Sequence, residues 1–379
     1  MEIKPIKNPF STAGYHGESY FCDREKETEW LLNNIVNGNS STIISIRRLG
    51  KTGLIHHALG KLPKNYKGIY IDILPTERLN DLFGLLSSSL IQSINENTSF
   101  GQKVWNVIKS FRPTVSFDSL SGQPQVSFDL KPSEAESSIS SILQLINSQP
   151  YPTVIAIDEF QQIASYPEKN SEAWLRGIVQ QLNNVVFIFS GSQQHLMSEI
   201  FSSPKRPFYR STQLLKLQKI DRDTYADFIV KQFEINKKSI AKETAAEVLN
   251  WCDTHTYYVQ LLCNKLFAAT HKIAKTEHWK QQANALLMEQ EPFFINYRNL
   301  LTTAQWKLFK AIASEGIVYH PTASEFIRSH NLSASASVIR ALNSLLGYEL
   351  IYRETTPNGE TCYKVYDILF QNWVKVKNY

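Results

Sequence analysis

Ser41-Thr-Ile-Ile-Ser-Ile-Arg-Arg-Leu-Gly-Lys-Thr-Gly-Leu-Ile55 passes from a run of β-branched apolar residues into a turn carrying Gly50, Lys51 and Thr52, and then into helix-forming apolar residues. Strand, loop and helix in that order are what a phosphate-binding loop requires. Backbone N–H groups of Arg47, Arg48, Leu49 and Gly50, and of the first helical turn through Gly53, converge on an anion, and the helix dipole adds to their pull. In this reading Lys51 reaches the β- and γ-phosphates while the Thr52 hydroxyl holds Mg²⁺. The pattern asks for glycine five residues before Gly50, and Ser45 stands there instead. Serine fits if its φ is negative. The plainer alternative is a surface turn at a strand end.

A second motif supports the first. Thr153-Val-Ile-Ala-Ile157 is a short, continuous apolar run of the kind buried in the middle of a parallel sheet, and it ends in Asp158-Glu159. The C-terminal ends of such strands are where open α/β sheets bind ligands. Asp158 is expected to hold a Mg²⁺ water and Glu159 to orient or deprotonate an attacking water. A solvated acidic turn is the bland alternative, and a neighbouring phosphate loop argues against it. Together the two motifs point to a nucleoside triphosphate.

At 379 residues the chain is too long for one ordinary core, so two or three domains are expected. A net charge of +5 permits contact with nucleic acid without requiring it. Cys22, Cys252, Cys263 and Cys362 show neither a CxxC pair nor metal spacing, and read as reduced, buried thiols of a cytoplasmic protein. The first residues lack an apolar signal region and no apolar run is long enough for a bilayer, so no membrane is expected.

Asn8 to Tyr15 is turn-rich and expected across the surface of the core. Asp23 is expected to cap a helix from Arg24 to Asn34. Ile69 to Ile73 reads as the next strand, followed by a helix from about Thr76 to Ile94. Between Thr114 and Leu130, two alternating arms around a turn at Ser121 to Pro124 describe an inserted β-hairpin. A helix near Trp174 to Leu182, a strand from Val185 to Phe189 and a last core strand from Leu214 to Leu217 complete the α/β pattern. Helical periodicity without strand signals then runs from Arg222 to about Ile295. Three short helices and a hairpin around Pro357-Asn-Gly describe a winged helix. The fold class is therefore α/β, a P-loop NTPase core with a parallel sheet, followed by a helical lid domain and a C-terminal winged-helix domain. Expected boundaries are 1–218 with the hairpin near 114–130, then 219–300, then 301–379.

In this order the pieces resemble the archaeal-type ATPase family, in the STAND and AAA-related branch of P-loop NTPases common in archaea and Bacteroidetes. The matching segments are Tyr20 to Glu27, Arg47 to Thr52, Ile157 to Gln161, Gly191-Ser192, Pro207 to Arg210 and Tyr257 to Gln260. The resemblance implies ATP and Mg²⁺ as ligands. It places Phe21, Cys22 and Arg24 at the adenine, where helix-entry packing and a solvated charge are the plainer alternatives. It places Ser190 and Ser192 at the end of a sensor strand, with Ser192 near the γ-phosphate. Arg210 matches an arginine that clamps transition-state charge, in cis or from a neighbouring subunit, a role worth about 10³–10⁵ in rate. Lys51, Glu159 and Arg210 are thus the expected catalytic set. Two departures stand out: Ser45 in the loop, and Thr254-His255-Thr256 where relatives carry a Gly-x-Pro lid contact.

Three functions compete: an ATP-driven switch that repositions lid and winged helix, a DNA-binding protein regulated by ATP, and a nucleotide-stabilised scaffold without hydrolysis. ATP or ADP is the expected partner, and a homo-oligomer and a protein partner are both compatible with the reading. Duplex DNA is disfavoured, because the recognition segment Ser333 to Leu346 carries only Arg340 as a cation and the wing from Glu354 to Glu360 is acidic at both ends. The intact Lys51, Thr52, Asp158 and Glu159 speak against the scaffold.

Overall fold

The computed structural model describes residues 7–93, 99–111, 113–117, 124–356 and 358–377. They form two compact units: Ala13–Ile220, and the chain from Asp221 onward joined by the described residues up to Thr12.

Apolar runs too continuous to leave one face wet build the three inner strands of the sheet of the Ala13–Ile220 unit. Its strands are β1 (Ser41–Ile44), β2 (Lys67–Asp72), β5 (Thr153–Asp158), β6 (Val185–Gly191) and β7 (Gln213–Lys216). They pair in parallel in the order β2-β5-β6-β1-β7. Every residue of β1, β5 and β6 is buried. Side chains alternate between two cores. Val154, Ala156, Val186 and Ile188 face Leu31 and Ile35 of α1 (Glu25–Val36) and Leu54 and Ile55 of α2 (Lys51–Gly60). Ile155, Ile157, Phe187 and Phe189 face the opposite cluster. That cluster includes residues of α3 (Leu79–Ser93), α4 (Ser99–Ser110), α5 (Pro132–Asn147), α6 (Ser171–Val179) and α7 (Gln194–Ser202).

Register positions the site. Ile157 pairs with Phe189 and Ile44 with Gly191, so β5, β6 and β1 end at one level of the sheet. Strand β6 runs two residues further than expected and takes Ser190 and Gly191 into the sheet. Helix α1 is capped by Arg24 rather than Asp23, and both residues take left-handed backbone, with φ of 81° and 57°. No side-chain cap bond forms there.

The inserted arms pair as an antiparallel hairpin, β3 (Thr114–Phe117) with β4 (Pro124–Ser127); of the turn expected at Ser121 to Pro124, residues 121–123 lie outside the described residues and Pro124 opens β4. Strand β4 seats on α3. The Ser88 hydroxyl donates to the Gly84 carbonyl at 2.8 Å and accepts from Val126 N–H at 3.0 Å. Gly84 lets the backbones approach, since a Cβ there would lie 2.5 Å from the Val126 carbonyl oxygen. Neither α4 nor α5 was anticipated from the sequence.

The second unit begins with α8 (Arg222–Ile235), α9 (Lys242–Trp251), α10 (Thr256–Ala269) and α11 (Thr276–Leu300). Two short strands, β8 (Ser239–Ile240) and β9 (Ile273–Ala274), pair in parallel, so the segment expected to be wholly helical is not. The turn-rich stretch expected across the α/β core divides: its residues up to Thr12 belong here, while Ala13 to Tyr15 belong to the α/β unit. Phe10 is fully buried against Phe233 and Phe267, and Asn8 and Asn264 donate to each other's neighbourhood, to Asn264 O and Phe10 O. Asp253 and Thr254 turn left-handed between α9 and α10, and Thr254 N–H closes on Leu249 O at 2.7 Å.

A capping box of Thr302 and Gln305 opens α12 (Thr303–Glu315), and α13 (Ser324–Ser329) and α14 (Ser335–Gly347) follow. The wing is β10 (Ile351–Thr355) with β11 (Thr361–Val365), joined by a bridge from Val318 to Tyr363. A last helix, α15 (Ile368–Lys377), was not anticipated. Its Phe370 stacks on Phe294 of α11 at 5.0 Å and meets Phe309 of α12 at 4.5 Å. No disulfide links the four buried cysteines. Among the described residues no helix is long and apolar enough to cross a membrane.

The seat of β4 on α3 generates a prediction. On helix propensity alone, Gly84→Ala gains about 1 kcal/mol, whereas forcing a methyl into a filled contact costs about 1–3 kcal/mol. We expect a lower midpoint in thermal unfolding. A higher midpoint would mean that the hairpin does not rest on this helix.

Candidate functional site

The loop after β1 delivers the first group. Ser45 is fully buried, avoids the left-handed region, and donates its hydroxyl to Ile46 O at 2.9 Å. Serine is therefore accommodated where the pattern asks for glycine. Arg48 and Gly50 take positive φ, 59° and 105°, and turn the chain into α2 at Lys51. Arg47 and Arg48 are exposed, while Leu49 is buried. The Lys51 side chain is buried, and that burial pulls its pKa down against the opposing pull of Glu159 and Asp158. A buried ammonium facing carboxylates at a helix N-terminus is stabilised by any phosphate that arrives.

The second group comes from β5. Asp158 is 2 % exposed and is surrounded by donors. The Thr52 hydroxyl donates to Oδ2 at 2.6 Å and Tyr70 Oη donates to the same oxygen at 3.1 Å. The Ser190 hydroxyl and the Glu159 N–H, the latter at 3.0 Å, both donate to Oδ1. Burial, with Asp158 beside it, raises the Tyr70 phenol far above its ordinary value, so it stays a donor. His56 lies against Tyr70 at 4.4 Å, and its own burial lowers its pKa.

Glu159 follows in left-handed backbone, φ 55°. Its Oε2 accepts from Ser192 Oγ at 2.7 Å, Ser192 N–H at 3.2 Å and Gln161 Nε2 at 2.5 Å. Lys51, Thr52, Asp158, Glu159 and Ser192 are thereby one hydrogen-bonded or charge-coupled group at the C-terminal ends of the strands. Thr52 and Asp158 offer the hard oxygen donors that Mg²⁺ takes.

The segment before α1 places its residues differently. Phe21 stacks on His57 at 4.3 Å and lies over Gly53, where a Cβ would come 3.4 Å from the ring. Tyr15 joins them edge-on, its hydroxyl 2.7 Å from His57 Nδ1. Cys22 is buried and its thiol is pushed up to about 12 by that burial. Arg24 is buried too, with its guanidinium on Glu27 at 2.7 Å and on Gln218 O at 2.6 Å.

Arg210 stands apart. It precedes β7, whose first residue Gln213 pairs with Ser41, the first residue of β1. It therefore lies before the N-terminal ends of β1 and β7, about 13 Å of strand from the loop that follows Ile44. Its guanidinium lies over the Tyr209 ring at 5.3 Å, and it lines a cavity of about 310 Å³ with Phe201, Tyr209, Thr212 and Leu214.

Sequence reasoning gave no role to Tyr70 or Gln161. Tyr70 reaches Asp158 only because β2 pairs with β5, setting Tyr70 opposite the small Ala156. Gln161 was visible within the acidic motif, but its grip on Glu159 arises from the tight turn Phe160–Ser165.

No curated protein matches the sequence. The Walker-type ATPase of Pyrococcus abyssi shares the fold at TM-score 0.65 and 17% identity, over 97% of this chain and 99% of that one. The ORC2 protein of Aeropyrum pernix, solved with ADPNP and ADP, follows at TM-score 0.57 and 12% identity, over 98% of each chain. The ORC1 protein of Aeropyrum pernix, solved with DNA, gives 0.52 and 10%, over 99% and 98%. At these identities the likeness is one of fold. Residues 292–376 match a probable winged helix domain. Residues 21–262, more than half of the chain, match an ATPase domain predominantly from Archaea, and the chain belongs to that family.

Proposed function

We propose that this protein is a Mg²⁺-dependent, ATP-binding and ATP-hydrolysing switch that couples nucleotide state to the position of its lid and winged helix. The observation that carries the reading is the 2.6 Å bond from Thr52 to Asp158, which joins the phosphate loop to the acidic strand end. Buried Lys51 supplies the cation for the β- and γ-phosphates. Thr52 and Asp158 hold Mg²⁺, which when bound neutralises charge on the phosphate oxygens. Glu159 orients the attacking water and takes its proton, and Ser192 meets the γ-phosphate. Phe21 and its aromatic neighbours offer the flat, apolar surface that a purine needs.

Two features support motion of lid and winged helix as one body. Helix α11 runs unbroken into the winged-helix region, and α15 folds back on it through Phe370. On α14 the single basic side chain is Arg340, and Glu354 of the wing is matched by Lys364 at 2.8 Å. That balance supports a protein partner over duplex DNA. The place of Arg210, at the far ends of the strands, supports a role in the site of a second copy.

Lys51→Ala should abolish ATP binding in calorimetry, and chelating Mg²⁺ should weaken binding to the wild-type protein. Wild-type affinity in the variant would remove the phosphate-loop assignment.

Arg210→Ala should keep ATP affinity within two-fold and lose about 10³ in turnover. Mixing it with Glu159→Gln should restore part of the activity, because a mixed site pairs an intact Glu159 with an intact Arg210. An inactive mixture of variants that demonstrably co-assemble would end the trans role.

A further inference from the structure

Gln161 is 4 % exposed, and its two ends fare differently. Nε2 donates to Glu159 Oε2 at 2.5 Å, whereas Oε1 is buried without a hydrogen-bond partner. Turning the amide over would set its oxygen against the carboxylate, so the carboxylate dictates the orientation. The orphaned oxygen stands over Gly191, where a Cβ would lie 2.2 Å from it. Only glycine leaves room for the amide there. A buried acceptor without a partner costs stability, and an apolar side chain of the same length would avoid that cost.

The rest of the turn is fixed. Phe160 is fully buried against Phe189, Phe201 and Phe208. Gln162 N–H closes on Glu159 O at 3.0 Å. Gln161 therefore projects from a rigid support toward a glutamate held in a left-handed conformation that few non-glycine residues adopt. The other side-chain donor to Glu159, the Ser192 hydroxyl, has one proton to give. If it turns to a γ-phosphate, it releases the carboxylate.

We propose that Gln161 is the positioning residue for Glu159, holding one carboxylate oxygen in place while the Ser192 hydroxyl is drawn to the γ-phosphate. The inference rests on the ATP-hydrolysing reading of this site. It assigns Gln161 no contact with ATP. Its effect passes through Glu159, leaving the free carboxylate oxygen aimed at the attacking water.

The test compares wild type, Gln161→Met, Gln161→Asn and Glu159→Gln with and without Gln161→Met, using the whole chain with Mg²⁺ and ATP. Methionine keeps the length without a donor, and asparagine keeps the amide but falls short of Glu159. For Gln161→Met we expect an unchanged or higher unfolding midpoint, ATP affinity within two-fold, and kcat lower by at least ten-fold. Gln161→Asn should lose kcat similarly. In the Glu159→Gln background, Gln161→Met should change the residual rate by less than two-fold, an absence of additivity expected of residues acting as a unit. Unchanged kcat in both single variants, or an undiminished loss in the Glu159→Gln background, would overturn the assignment. A wild-type protein that binds ATP but never turns it over would overturn the proposed function, and this inference with it.

Discussion

The buried carboxylate of Asp158 is the interaction on which the rest of the core depends. Its donors come from α2 through Thr52, from β2 through Tyr70, from β6 through Ser190 and from its own chain at Glu159. A charge at that depth is tolerable only when its lone pairs are filled, and charge-assisted bonds are the strong ones. The same bonds therefore tie the phosphate loop to the sheet and shape the place where a metal and phosphates would bind. Under the proposed function Thr52 exchanges this partner for Mg²⁺, so that ligand entry would rewrite a structural contact.

Packing beneath this site extends its reach. Phe160 follows Glu159, Phe189 precedes Ser190, and Phe208 lies two residues before Arg210. All three rings, with Phe201, meet in one cluster at centroid distances from 4.5 to 5.6 Å. The groups at the C-terminal ends of the strands and the arginine that precedes β7 are thus seated on one packed aromatic cluster. Arg206, held by Glu172 at 2.9 Å and Glu199 at 3.1 Å, fixes the turn that carries Phe208 and Arg210.

What could be read from sequence follows from how local each signal is. The strand–loop–helix around Lys51 and the apolar run ending in Asp158 are continuous segments whose chemistry and conformation are written in the same residues. Tyr70 and Gln161 are not of that kind. One depends on which strand lies beside β2, the other on a left-handed turn at a glutamate, and neither follows from spacing. Phe10 misled because turn residues around it suggested a surface path, while its ring fills a gap between Phe233 and Phe267. Arg24 looked like a solvated charge or a base contact, yet its left-handed backbone points the guanidinium inward to Glu27 and Gln218. Helix α15 was not read at all, because the winged-helix pattern was complete at the second wing strand and no element was assigned to the residues after it.

The central claim is that the acidic strand end and the phosphate loop together hydrolyse ATP, with Glu159 as the group that takes the water's proton. Single-turnover hydrolysis in Glu159→Gln, with bound ATP measured in parallel, tests it most directly. The amide keeps the carboxylate's size and can still meet Ser192, but it cannot accept the proton. The account predicts ATP held at wild-type affinity and hydrolysed at least a hundred-fold more slowly. Turnover equal to wild type at equal occupancy would contradict it.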